Sequence, residues 1–98
     1  MAIRAVRSAK AVAGAALLAI EQGDYDDAAS LCAQAVDLAR ARGDRADLVE
    51  ALNARGLLKR ERNEYDEAAR DHEEARALAE ALGDQAGVAA ALIGLAYT

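Results

Sequence analysis

Two residues with reactive side chains, Cys32 and His72, stand forty positions apart in the sequence. A cysteine beside a histidine base is the arrangement of a thiol nucleophile, and both residue types also bind zinc. A zinc site takes four protein ligands, or three and a water, so two residues are too few. No oxyanion-stabilising glycine loop or orienting asparagine accompanies the pair in a recognisable motif. The sequence therefore favours a structural cysteine and a half-buried histidine over a catalytic pair.

Carboxylates cluster around Tyr25, where Asp24, Asp26 and Asp27 follow one another closely. A calcium loop would spread its ligands over about twelve residues, and these three are too close together for that. They are better suited to capping a helix and to facing solvent. No phosphate-binding glycine loop is evident either. We therefore expect no catalytic, cofactor-binding or metal-binding residues, and we predict that the protein is not an enzyme.

The composition favours an all-α protein. The 98 residues include no proline, and alanine, the strongest helix former, dominates a hydrophobic fraction of 54%. This length suits one small domain over residues 1–98. The formal net charge of −5 disfavours nucleic-acid binding, which needs clustered cations to displace the counterions of phosphate groups. We expect a protein or peptide partner and no nucleic acid.

The N-terminal segment MAIRAVRSAK is basic and precedes an apolar run, which is the order found in secretory signals. That run lacks a clear cleavage site and is too short to span a bilayer, so we assign it to the fold. The single cysteine, Cys32, has no partner for an internal disulfide and suits a reducing compartment. We therefore expect a cytoplasmic protein with no membrane partner. The excess of arginine over lysine, together with the abundant alanine, favours a bacterial source.

The chain repeats itself with a period of forty residues. Residues 11–50 align without a gap on residues 51–90, and the segment GDYDDAAS at 23–30 corresponds to NEYDEAAR at 63–70. Residues 91–98 begin a third, partial unit, whose helix is predicted to start near residue 85. Repeats of this length indicate stacked supersecondary units.

Each unit is predicted to be a helical hairpin. Gly43 and Gly83 suit the left-handed conformation that ends a helix, and Asp44 and Asp84 suit the cap of the helix that follows. An acidic residue also precedes the second helix of each unit, where the helix dipole favours negative charge. The predicted helices, joined by tight turns and therefore antiparallel, span residues 3–22, 25–42, 45–62, 65–82 and 85–97.

These residues resemble the tetratricopeptide repeat, in particular the forty-residue variety found in kinesin light chains. The resemblance implies a short right-handed α-solenoid of two repeat units plus a fifth helix, with small residues where helices approach closely and a tyrosine wedged between units. A HEAT-like solenoid has a compatible period but does not account for the turn between the helices. The matching residues are Leu52 with Gly56 in the first helix, Tyr25 and Tyr65 after the turn, and Ala28 with Ala35 and Ala68 with Ala75 in the second helix.

The resemblance also implies a concave groove, lined by the first helix of each unit, that holds a peptide or helix of another protein. Family members that grip the C-terminal carboxylate of chaperones place lysine and asparagine in this groove, and of the corresponding residues here only Asn53 fits. The predicted groove residues are Lys10, Ala13, Gly14, Leu17, Ile20 and Glu21, then Glu50, Asn53, Ala54, Leu57, Arg60 and Glu61, then Ala90, Ile93, Gly94 and Tyr97.

The second unit carries charges at positions that are usually apolar in the family. Arg55, Lys59 and Arg76 occupy such positions, and Asp71 replaces a leucine of the first unit. Unpaired charges are costly to bury, so these residues either form ion pairs with neighbouring carboxylates or lie near solvent. We favour structural ion pairs over a charged cluster that binds a partner.

Two functions are consistent with this sequence. The first is a protein-interaction module, part of a larger bacterial scaffold or regulator, that binds a partner segment in the groove. The second is a self-association unit. The predicted fifth helix is almost uncharged, and a homodimer would cover the apolar residues Val88, Leu92 and Leu95.

Overall fold

The computed structural model describes residues 7–97, and these residues form five α-helices and no strands. The predicted all-α class is confirmed, because adjacent helices pack on one another along the whole described chain. No helix in this range is long and apolar enough to cross a membrane. The helices are α1 (Ala9–Glu21), α2 (Tyr25–Arg42), α3 (Arg45–Glu61), α4 (Tyr65–Leu82) and α5 (Gln85–Ala96).

The predicted helix ends at the two glycine-aspartate pairs are confirmed. Gly43 and Gly83 adopt left-handed conformations with φ of 64° and 70°. The Asp44 carboxylate accepts a hydrogen bond from the Asp47 backbone N–H at 3.0 Å, and Asp84 caps α5 in the same way. The repeat is therefore encoded locally, because glycine tolerates the left-handed turn and aspartate satisfies the exposed N–H groups of the next helix.

The first helix begins later than predicted. Ser8 is its N-cap, and the Ser8 Oγ accepts a hydrogen bond from the Ala11 backbone N–H at 3.0 Å. Serine is a strong N-cap residue, and the prediction of a helix from residue 3 overlooked this signal. The predicted residues 3–6 lie outside the described range. The other helix ends agree with the predictions to within one residue.

The five helices form two layers. In one layer α1 contacts α3 and α3 contacts α5, while α2 and α4 form the other layer and each packs on the helices before and after it. Within residues 7–97, no Cα atoms of α2 and α4 come within 8 Å of each other. The layer of α1, α3 and α5 is thus the more closely spaced one, which makes it the inner side of a curved stack.

Small residues occupy the helix crossings, as predicted. Ala28 and Ala35 in α2 and their counterparts Ala68 and Ala75 in α4 are completely buried. At the centre, the buried Leu52 of α3 is the largest fully enclosed side chain. Alanine lets helix axes approach closely, so this core is dense although it contains few large side chains.

The two repeat tyrosines differ in burial. Tyr25 packs against the core, as predicted for a wedge, but Tyr65 is 47% exposed, so the prediction is wrong for this residue. The start of α2 lies near the end of α3, where Arg62 pairs with Asp26 at 3.8 Å.

Candidate functional site

A cavity of about 600 Å³ opens on the inner layer, and we call it the groove. Helices α1, α3 and α5 supply most of its lining, and one side chain from α4 reaches it. Twelve residues predicted for a binding groove line it: Ala13, Gly14, Leu17, Glu50, Asn53, Ala54, Leu57, Arg60, Ala90, Ile93, Gly94 and Tyr97.

Four predicted groove residues do not line the cavity. Lys10 lies at its edge, where the Lys10 Nζ is 3.7 Å from Glu50. Glu21 and Glu61 are exposed near the helix ends, and Glu61 pairs with Arg60 at 3.5 Å. Ile20 is buried in the core instead. The helices extend beyond the groove at both ends, so residues in their first and last turns cannot all face it.

Large apolar side chains stand exposed on both sides of the groove. Leu17 on α1 is 42% exposed, and Ile93 and Tyr97 on the α5 side are 62% and 66% exposed. The Arg60 guanidinium lies 4.7 Å from the centre of the Tyr97 ring, a cation–π distance. Between these walls the lining combines the small residues Ala13, Gly14 and Ala54 with larger and polar residues of α3 such as Asn53 and Leu57. The groove is therefore open to solvent and has polar groups among its apolar residues.

His72 also lines the groove, although it belongs to α4 and was not predicted there. The Nδ1 atom of His72 lies 2.9 Å from the Asn53 Oδ1, while the Asn53 Nδ2 donates to the Gly87 carbonyl at 3.4 Å. With the Asn53 amide in this orientation, its Oδ1 accepts from Nδ1 in the tautomer that carries the proton on Nδ1, and in that tautomer Nε2 keeps its lone pair.

Two glycines make room for the His72 ring. A Cβ atom on Gly56 of α3 would lie 2.6 Å from the His72 Nε2, and a Cβ on Gly94 of α5 would also clash with this atom. The ring thus extends from α4 between α3 and α5, with Nε2 at its tip. Gly56 was identified in the sequence as a small residue of the repeat, but its contact with a histidine depends on residues far apart in the chain.

The surroundings of His72 favour the neutral ring. Burial lowers the pKa of His72 below its ordinary value, and the positive charge of Arg60 lowers it further, while Asp71 opposes the shift. The Nε2 atom is buried and has no hydrogen-bond partner among residues 7–97. An unpaired acceptor at this depth is uncommon in folded proteins.

An ion-pair network lies in the second repeat unit, as favoured from the sequence. The buried Asp71 accepts two hydrogen bonds from Arg55, both at 2.9 Å, and lies 3.2 Å from the Lys59 Nζ. Arg76 pairs with Glu73 at 2.7 Å on the same helix. The predicted ion pairs are therefore present within the unit.

Cys32 and His72 do not form a catalytic pair in this structure. Cys32 is buried, and burial raises the pKa of its thiol to about 11, so the nucleophilic thiolate is scarce near neutral pH. The His72 Nδ1 bonds to Asn53, and its Nε2 contacts no donor or acceptor. Among residues 7–97, no group of three or more histidine, cysteine and acidic side chains is arranged to hold a metal ion.

Some lining residues were missed because they lie at helix starts. Val49 lies near the start of α3, and Asp84, Ala86 and Gly87 lie around the start of α5. The glycine-aspartate signal located Asp84 as a cap. It did not show that this cap would face the groove, because that depends on how α5 packs on α3.

The predicted self-association residues lie on α5 with different exposures. Val88 packs against the core and Leu95 is half-buried, whereas Leu92 is 50% exposed. Val88 and Leu92 line a second, shallower hollow of about 350 Å³ between α5 and the end of α4. This hollow and the groove lie on different faces of α5, since Leu92 lines one and Ile93 the other.

Comparison with known proteins gives one match. A model of the tetratricopeptide repeat family matches residues 7–81, which covers α1 to α3 and nearly all of α4. No curated protein and no solved structure matches the chain.

Proposed function

We propose, since the chain belongs to the tetratricopeptide repeat family, that the groove binds a peptide or helical segment of a partner protein. Repeats of this family form an interaction module rather than a catalytic fold, and they generally mediate contacts between proteins. The kinesin-light-chain-like variety stays a prediction based on the forty-residue spacing.

The exposed apolar walls of the groove carry this proposal. Leu17, Ile93 and Tyr97 leave much of their surface in water, around a cavity whose volume is typical of binding sites. Large apolar side chains that stay exposed around one cavity indicate an interaction site more strongly than single exposed side chains scattered over a surface. The neighbouring small residues leave space for side chains of a partner.

A displayed peptide library, followed by calorimetry on the selected peptides, tests the proposal. Leu17→Asp places a charge in the groove and is expected to weaken binding at least tenfold. Leu18→Asp is the matched control, because Leu18 is 54% exposed on the same helix and does not line the groove. Equal losses for the two variants, or a library that yields no binder, would contradict the proposal.

We propose self-association as the second candidate function, because Leu92 stands exposed beside the apolar hollow of α5. A homodimer through Val88, Leu92 and Leu95 would bury this surface, and two-fold symmetry is the commonest arrangement. Light scattering at low micromolar concentration is then expected to give about twice the monomer mass.

Variants of the adjacent α5 residues Leu92 and Ile93 distinguish the two proposed functions. Leu92→Glu is expected to reduce the mass to that of a monomer and to leave peptide binding intact. Ile93→Glu acts on the groove and is expected to do the opposite. A monomer at all tested concentrations would contradict the homodimer.

We also propose that the protein works in the bacterial cytoplasm, as part of a scaffold or regulator. The arginine-rich and alanine-rich composition supports the bacterial source. The buried free thiol of Cys32 suits a reducing compartment.

A further inference from the structure

The groove has two unlike ends. The starts of α1 and α3 lie side by side, because the Lys10 backbone N–H donates to the Asp47 carboxylate at 3.1 Å. The ends of α3 and α5 lie together at the opposite end, where Arg60 contacts the Tyr97 ring. Carboxylates line the groove at the first end, which we call the acidic end, and large apolar side chains line it at the other, the apolar end. The acidic end has Glu50 and Asp84, and the apolar end has Leu17, Leu57, Ile93 and Tyr97.

Both carboxylates of the acidic end can accept a cation from a partner. The Glu50 side chain is 46% exposed, and Lys10, whose Nζ is 3.7 Å away, is 67% exposed. An ion pair this open to solvent contributes little and can exchange its partner. Asp84 lies beside α3, because Gly87 of the same helix start is packed on Val49. It uses one oxygen to accept the Gly87 backbone N–H at 2.9 Å, and a carboxylate has capacity for further hydrogen bonds.

The charges of the groove favour a cationic partner. Arg60 also lines the groove, but it lies at the apolar end and is engaged by Glu61 and the Tyr97 ring. A partner carboxylate would meet like charge at Glu50 and Asp84, whereas a lysine or arginine side chain would meet opposite charge. The net charge of −5 on the whole chain also attracts a cationic segment as it approaches.

We propose, on the basis of the binding function proposed above, that the partner is a basic, extended segment of a protein. Its lysine or arginine side chains pair with Glu50 and Asp84, and its apolar side chains contact Leu17 and Ile93. Ile93 follows Asp84 by about 14 Å along α5, a distance that an extended chain covers in about four residues. A cavity of about 600 Å³ suits such a short stretch better than a helix, whose diameter with side chains is about 10 Å.

Asp84→Asn is the central variant of the test, because it removes a charge of the acidic end and keeps the helix cap. Asparagine caps helices about as well as aspartate does. Asp44→Asn is the matched control, since Asp44 caps α3 through the same contact, with the Asp47 N–H at 3.0 Å, but does not line the groove. The two variants have the same net charge, so they distinguish a contact in the groove from the overall charge of the protein.

The probes are short peptides with capped termini, which contain three leucines, an alanine and then a pair of lysines, glutamines or glutamates, each also made in the reverse order. Methyl signals of Leu17 and Ile93 in NMR titrations report binding in the groove. In about 0.1 M salt, the tighter lysine peptide is expected to bind about threefold to tenfold better than either glutamine peptide, the gain from two exposed ion pairs. The glutamate peptides are expected to bind more weakly than the glutamine peptides. Raising the salt to about 0.5 M is expected to reduce both differences.

Asp84→Asn and Glu50→Gln are each expected to weaken binding of the lysine peptide about twofold to fivefold, and Asp44→Asn is expected to leave it within about 1.5-fold. Three results would overturn the inference: lysine peptides that shift neither methyl signal, equal affinities for the lysine and glutamine peptides, and equal losses for Asp84→Asn and Asp44→Asn. If library peptides still bind the groove in any of these cases, the proposed function stands and only the basic partner is wrong. If no library peptide binds either, the proposed function fails as well.

Discussion

Arg55 and Asp71 form a two-pronged ion pair across the α3–α4 interface. The Nε and one terminal nitrogen of Arg55 each donate to a different Asp71 oxygen at 2.9 Å. Asp71 is buried, and the Arg55 and Lys59 side chains are partly so. The hydrogen bond with Asp71 also raises the pKa of Arg55. The corresponding positions of the first repeat unit hold Ala15, Ala19 and Leu31.

Asp71→Leu is expected to lower the free energy of unfolding by about 2–3 kcal/mol, because it leaves two cations partly buried without their carboxylate. The triple variant Arg55→Ala, Lys59→Ala, Asp71→Leu copies the first repeat unit and is expected to recover most of the loss. Urea denaturation measures the free energy of unfolding of Asp71→Leu and of the triple variant. A triple variant less stable than Asp71→Leu would show that the network has no apolar substitute here.

Gly94→Ala tests the contact between α5 and His72. The new methyl group would overlap the His72 ring, so we expect a loss of about 1–3 kcal/mol in the free energy of unfolding. Gly14→Ala is the control, because a Cβ there meets nothing within 4 Å. It is expected to raise stability by about 0.5–1 kcal/mol through helix propensity. Thermal melts that show the same change for both would contradict the packing described here.

Ala68→Leu tests the helix packing around Ala68. Ala68 is completely buried, so the larger side chain is expected to overpack the interface and cost about 1–3 kcal/mol. Ala41 is exposed near the end of α2, so Ala41→Leu is expected to change the free energy of unfolding much less. Equal melting temperatures for the two variants would mean that Ala68 is not at a close crossing.

The fold was predictable because its signals are local and occur twice. Gly43 with Asp44 ends one helix and starts the next through interactions within a few residues, and the same pair recurs forty residues later. Alanine-rich segments between these turns leave helix as the only regular structure that local propensity favours. Ser8 carried an equally local signal, but it occurs once and was overlooked.

The inner faces of the helices were predictable in part, and the centre of the groove was not. The resemblance to the tetratricopeptide repeat predicted Leu17 and Leu57 for the groove, and both line it. His72 escaped prediction because it sits on the outer layer. The His72 ring fits between α3 and α5 because Gly56 and Gly94, which belong to those two helices, have no Cβ atom. A single sequence gives no signal for a contact of this kind, since Gly56 alone indicates a small residue of the repeat and Gly94 alone a residue of the groove.

Peptides that end in an acidic C-terminal motif are expected not to bind measurably. Glu50 and Asp84 line the groove, and their negative charge would repel the peptide. Arg60 is engaged with Glu61 and Tyr97. Calorimetry measures the affinity for such a peptide, and a micromolar dissociation constant would contradict the prediction. The variant Glu50→Lys replaces a carboxylate of the groove lining by a cation and is expected to bind such peptides more tightly than the unmodified protein.

His72 is expected to make stability depend on pH below the usual histidine pKa of about 6.5. Burial lowers the pKa of His72 in the folded protein, so the unfolded chain takes up a proton at a pH where the folded one does not. The free energy of unfolding therefore keeps its full value above the pKa of the unfolded histidine. It falls as the pH drops from that value towards the lower pKa of His72 in the folded protein. The slope is at most about 1.4 kcal/mol per pH unit for one proton.

Urea denaturation between pH 7.5 and about 5 measures this slope, because most carboxylates remain ionised in that range. His72→Gln is the control, since glutamine is polar and does not titrate, and its stability is expected to vary less over the same range. A flat profile for the unmodified protein would show that the His72 ring is as free to protonate in the fold as in the unfolded chain.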